Sequence, residues 1–232
     1  MSYRHFVFDL DGTLIDSRQD LANAANAMLA RRAAPPLPEA NIVAMVGEGA
    51  RTLVERVLRQ AGVAADLDTA LADFLAAYDA GLAVHTRAYD GVRDALDALT
   101  AAGCRLSVLT NKPQQASDRV LEALDLRAPF AAVLGGDTPI GRKPDPAGLL
   151  TLVGQAGIPA AETLMVGDSW VDAHTAAAAG VDACLVAYGF GYVAVDAPTR
   201  EAVRWVAALP ADLIALLDAH PPVPSTPPAI RA

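Results

Sequence analysis

The chain has 232 residues, 53% apolar and 19% charged, with a formal charge of −9. That length supports one large domain or two modest ones with a substantial core. An acidic chain without a Lys/Arg cluster excludes a nucleic-acid surface, and no uncharged run is long enough to span a bilayer.

The N-terminus lacks a signal-peptide pattern, so a cytoplasmic protein with no membrane partner is expected. The first element is the apolar run "HFVF" (5–8), which leads into Asp9 and Asp11. Two carboxylates one residue apart at the end of a buried strand are costly unless a cation sits beside them. From Ser17 to Val84 there is no strand signal. Ser17 and Asp20 have capping-box spacing ahead of Leu21, Ala24, Ala25 and Met28, and "PPLPEAN" ends that helix. "GARTLVERVLRQAG" then places Leu53, Val54, Val57 and Leu58 at helical spacing, and "DLDTALADFLAAYDAGLAV" continues in the same style. These segments define a helical domain over residues 17–84, inserted into a core formed by 1–16 and 85–220. Four further apolar runs follow: "CRLSVLT" (104–110), "AAVLGG" (131–136), "TLMVGD" (163–168) and "ACLVAYG" (183–189). They are near-continuously apolar and separated by helical segments. That pattern predicts an α/β fold whose parallel sheet is covered on both faces. Cys104 and Cys184 lie in or beside these runs and read as buried free thiols. The last twelve residues, "PPVPSTPPAIRA" (221–232), contain five prolines and read as a disordered tail.

In such sheets ligands collect at the carboxyl ends of strands. The polar residues expected there are Asp9 and Asp11, Thr110 and Asn111, Lys143 in "GRKPDP", and Asp168 and Asp172 in "GDSWVD". Asp9, Asp168 and Asp172, with Asp11, call for a hard divalent cation, and Mg²⁺ prefers such an all-oxygen set. The absence of His and Cys argues against zinc. Lys143, the Thr110 hydroxyl and the backbone amides around Gly12 are groups that hold phosphoryl oxygens. Together they describe phosphoryl transfer with Asp9 as a covalent nucleophile.

"DLDGTL" (9–14), "TN" (110–111), "KPDP" (143–146) and "GDSWVD" (167–172) resemble, in order, the four motifs of the haloacid dehalogenase (HAD) superfamily, over residues 4–195. The resemblance implies a Rossmann-like parallel sheet of strand order 3-2-1-4-5 with an inserted α-helical C1 cap. It implies that Asp9 attacks phosphorus, while Asp11 protonates the leaving alcohol and later activates water. Mg²⁺ would be held by the Asp9 and Asp168 side chains and the Asp11 carbonyl, with Asp172 acting behind them or through water. Gly12, Thr110, Asn111 and Lys143 would hold the phosphoryl group. Within the superfamily, "MVGEGARTLVERVL", "VLTNKP" and "VGDSWVDAHTAAAAG" look most like phosphoglycolate phosphatases. Phosphatases of sugar phosphates, such as N-acetylmuramic acid 6-phosphate, or of nucleotides are similar in pattern, as are phosphomutases. The competing class is a non-enzymatic module that binds a phosphorylated metabolite.

The presence of Asp11 argues against dehalogenation, whose leaving halide needs no proton. The absence of lysine from residues 17–88 argues against Schiff-base cleavage of phosphonates. Arg51, in "GEGARTL", is the cap residue suited to meet a substrate carboxylate, because Arg pairs with carboxylate bidentately. The expected partner is a small phosphomonoester. The sequence does not fix an oligomeric state.

Overall fold

The computed structural model describes residues 2–217; the proline-rich stretch 221–232 lies outside them. The core sheet contains β1 (His5–Phe8), β4 (Arg105–Leu109), β5 (Phe130–Leu134), β6 (Thr163–Gly167), β7 (Asp182–Val186) and β8 (Trp205–Ala207). Their order is β5-β4-β1-β6-β7-β8, and every pairing is parallel. Counting only the five strands anticipated from sequence, this is the order 3-2-1-4-5. The short edge strand β8 is an addition, with Val206 open to solvent and Ala207 buried.

The apolar continuity of β1 has a simple cause. Phe6 and Phe8 pack on one face against α5 (Val92–Ala101), α6 (Gln114–Ala123) and α10 (Asp212–Ala215). Val7 points to the other face, toward α7 (Ala147–Ala156) and α8 (Trp170–Ala179). Alternate side chains face opposite sides, and both sides are dry. His5, also fully buried, sits 3.0 Å from the Ser107 hydroxyl.

Between β1 and α5 the chain leaves the sheet. It forms α1 (Arg18–Ala30), α2 (Glu39–Val43), α3 (Ala50–Ala61) and α4 (Leu67–Ala80). These helices enclose a hydrophobic cluster of their own, with Met28, Leu29, Ile42, Val54, Val57 and Phe74 at its centre. Gly62 takes a left-handed conformation (φ 66°) to end α3. The two crossings between core and helices are tied together. β2 (Ile15–Asp16) pairs antiparallel with β3 (Arg87–Ala88). The Asp20 carboxylate accepts from the His85 and Thr86 amides and, at 2.7 Å, the Thr86 hydroxyl. The capping box expected from Ser17 and Asp20 therefore does not form: Asp20 is taken by the returning chain and Ser17 by Asp11.

Candidate active site

The register Phe8↔Val108 and Phe8↔Val166 aligns the ends of β1, β4 and β6. The Asp9 amide donates to the Val166 carbonyl at 2.8 Å, which carries that alignment one residue past the strand. The sheet edge thus brings together residues far apart in sequence. Lys143 Nζ lies 2.8 Å from Asp9 Oδ1 and 2.6 Å from Asp172 Oδ1. Asp168 Oδ2 accepts from the Gly191 amide at 2.7 Å. Asp172 Oδ2 accepts from the Ser169 amide and hydroxyl in the first turn of α8. One oxygen from each of Asp9, Asp168 and Asp172 falls within 4.8 Å of the others.

Three buried carboxylates face one ammonium here. Burial pushes the Asp9 carboxyl up to about 6, against the pull of Lys143, and Asp172 adds to the rise. Asp168 is raised well above the usual range by burial and then by Asp9 and Asp172. Burial opposes the Lys143 charge, but Asp172 and Asp9 outweigh it and raise the ammonium above its ordinary value. The cluster keeps an excess of two negative charges if all three carboxylates are ionised. An all-oxygen donor set with that deficit fits a hard divalent cation.

Asp11 lines the same cavity as Asp9. Its Oδ1 accepts from the Ser17 hydroxyl at 2.6 Å, and both its oxygens lie 3.0 Å from Lys112 Nζ. Sequence reasoning missed Lys112. It is buried, and its ammonium sits 4.3 Å from the centroid of the Tyr78 ring on α4. The available signal was its place directly after "TN", at a strand mouth where a lysine has ligands to meet.

The other expected residues have partners of their own. Gly12 (φ 90°) is not a free amide donor: its N–H goes to the Ile15 carbonyl and that of Thr13 to Leu10. Its use is steric, because a Cβ there would overlap the Asp168 carboxylate. Thr110 lines the cavity, with its hydroxyl accepting from the Lys112 amide at 3.2 Å. The Asn111 side-chain amide donates to the Gly47 carbonyl of the cap and the Lys143 carbonyl, both at 2.9 Å. It ties the Lys143 loop and the cap to the core, so its NH₂ is already engaged and its buried Oδ1 cannot donate to a phosphoryl oxygen. Arg51 is not brought to the site. Its half-exposed guanidinium pairs with Asp68 at the cap surface, since the helical face it occupies points outward.

The cavity lies between cap and core and has a volume of about 60 Å³. Asp9, Asp11, Thr110 and Lys112 line its core side, and Leu21, Leu53, Phe74 and Leu75 line much of its cap side. Phe190 closes part of the wall.

The family model for haloacid dehalogenase-like hydrolases matches residues 6–186. The chain is 45% identical over 211 residues to the phosphoglycolate phosphatase of Rhodospirillum rubrum, covering 88% of this chain and 84% of that one. It is 39% identical to phosphoglycolate phosphatase 1 of Pseudomonas aeruginosa, covering 84% and 75%. A crystal structure described as a predicted phosphoglycolate phosphatase from Haemophilus somnus superposes with a TM-score of 0.87 at 30% identity, over 93% of this chain and 98% of that one. With the four motifs converging on one sheet edge, the chain belongs to the haloacid dehalogenase-like hydrolases.

Proposed function

We propose that the protein is a Mg²⁺-dependent phosphatase of small phosphomonoesters, with 2-phosphoglycolate as its substrate. The observation that carries this reading is Asp9 at the strand mouth, held by Lys143 and accompanied in one cavity by Asp11. Asp9 offers an oxygen to phosphorus, and Lys143 offsets charge on that side. Asp11 stands where a leaving alcohol needs a proton, and returns to take one from water in the second step. The free Asp9 carboxyl, at about 6, is mostly ionised at neutral pH, as a nucleophile must be. Asp9, Asp168 and the Asp11 carbonyl would hold the metal. Asp172, with both oxygens occupied by Lys143 and Ser169, would orient them from behind. When bound, the metal supplies charge neutralisation at the phosphoryl oxygens.

The names of the relatives support phosphoglycolate over a bulky sugar phosphate. Cytoplasmic location belongs to the same reading: Cys104 and Cys184 are both free, as a reducing compartment leaves them. Among the described residues no helix is long and apolar enough to cross a membrane. The test is phosphate release from a panel of phosphomonoesters with Mg²⁺. The highest kcat/KM is expected for 2-phosphoglycolate, and comparable values for hexose phosphates would overturn the narrow assignment.

A further inference from the structure

Arg51 leaves the cap without the cation expected to meet a substrate carboxylate. The cavity supplies one from the other side. Among the described residues Lys112 is the single basic side chain lining it. Lys143 stands behind Asp9, paired with two carboxylates, and does not line the cavity. Lys112 carries three N–H donors, and Asp11 takes two of them. The second observation is Tyr78. Its residue is 4% exposed, it lines the cavity beside Lys112, and its hydroxyl has no polar neighbour but the Lys112 ammonium, at the edge of hydrogen-bond reach. A buried hydroxyl left unpaired is destabilising, and a ligand acceptor would relieve it. The surrounding cap wall is otherwise apolar, so an anion entering there finds these two groups and no other donor side chain from the cap.

From these positions we infer that Lys112 and the Tyr78 hydroxyl form the specificity-determining pair that reads the substrate's own carboxylate. The inference rests on the phosphatase reading above. The spacing agrees. A general acid works within about 3 Å of the leaving oxygen, and Lys112 Nζ lies 3.0 Å beyond the Asp11 oxygens. In the phosphate ester of a two-carbon hydroxy acid, the carboxyl carbon is two bonds from the leaving oxygen, roughly 2.5 Å. A carboxylate at that span comes within reach of Nζ. A neutral alcohol of the same length reaches the same place with no charge to offer.

The experiment compares 2-phosphoglycolate with 2-hydroxyethyl phosphate, which matches it in length and lacks the carboxylate. Wild type is expected to prefer phosphoglycolate. Lys112→Gln is expected to lower kcat/KM about 100-fold more for phosphoglycolate than for the hydroxyethyl ester, the usual scale for losing one member of a buried charge pair. Tyr78→Phe keeps the ring beneath the ammonium and removes only the hydroxyl. It is expected to raise KM about 5- to 10-fold for phosphoglycolate and less for the neutral ester, and it decides the matter if Lys112→Gln does not fold. Equal losses on both esters would show that Lys112 serves only to hold Asp11; the inference would fail while the phosphatase reading stood. A wild type with no preference for phosphoglycolate would instead overturn the substrate reading itself, before any variant was made.

Discussion

Removing the Lys143 charge isolates the electrostatics of the site. In Lys143→Met the chain length and most of the volume are kept, and the ammonium is lost. Its contacts at 2.8 Å to Asp9 and 2.6 Å to Asp172 are almost fully buried. At an effective dielectric of 20, each contact is worth about 6 kcal/mol of attraction. Desolvating the ammonium offsets several kcal/mol of that, and breaking a buried pair by deleting one partner costs about 3–5 kcal/mol net. For a chain of this size the loss corresponds to a fall in Tm of about 6–20 °C. The measurement is a thermal melt in chelator at pH 7.5 and again at pH 5. Lys143 is the largest influence lowering the Asp9 carboxyl, so without it that carboxyl rises further. A carboxyl raised in the folded state disfavours folding above its folded pKa, where it must ionise, and the penalty fades as protons neutralise it. The deficit of the variant should therefore shrink at pH 5. Melting within about 2 °C of wild type at pH 7.5, or a deficit that does not shrink in acid, would refute the reasoning.

Gly12→Ala places a Cβ against the Asp168 carboxylate on a backbone at φ 90°, so kcat/KM should fall on the order of 100-fold as that group is displaced; unchanged turnover would show that the close approach is not needed. Because Asp9 titrates near 6 in the free protein, a bound cation must displace a proton below that pH. With Asp168 raised as well, Mg²⁺ affinity by calorimetry should then fall at least about tenfold per pH unit below 6, and a flat profile would contradict the ligand role. Burial, with Arg105 adding to it, lowers His5 to about 4. The unfolded chain binds that proton near 6.5 and the folded one does not, so stability present above 6.5 is lost as pH falls toward 4, by at most about 3 kcal/mol. Denaturant midpoints at pH 7 and pH 5 should differ less in His5→Gln than in wild type.

The cluster of Asp9, Lys143, Asp168 and Asp172 was legible because a parallel sheet forces its strand ends to one edge, and the apolar runs marked those ends. What failed to show in the sequence depends on partners distant along the chain. Ser17 and Asp20 have the spacing of a capping box, yet Asp11 and the chain returning at His85 and Thr86 offer them better-placed partners. Lys112, next to Pro113, resembles a solvated loop lysine until α4 folds over it and sets Tyr78 against its ammonium. The Asn111 side chain holds the Gly47 and Lys143 carbonyls, two partners distant along the chain. Arg51 fits a carboxylate by type, and it found one in Asp68 on the outer cap surface. Residue type identified the chemistry in each case, and long-range packing decided which partner received it.

Nucleophilic attack by Asp9 is the central claim, and Asp9→Asn measures it most directly. Phosphate release from 2-phosphoglycolate with saturating Mg²⁺ should drop by at least about 10⁴-fold, the scale seen when one member of a catalytic unit is removed. Turnover near the wild-type rate in a variant verified by mass to retain asparagine would contradict the account.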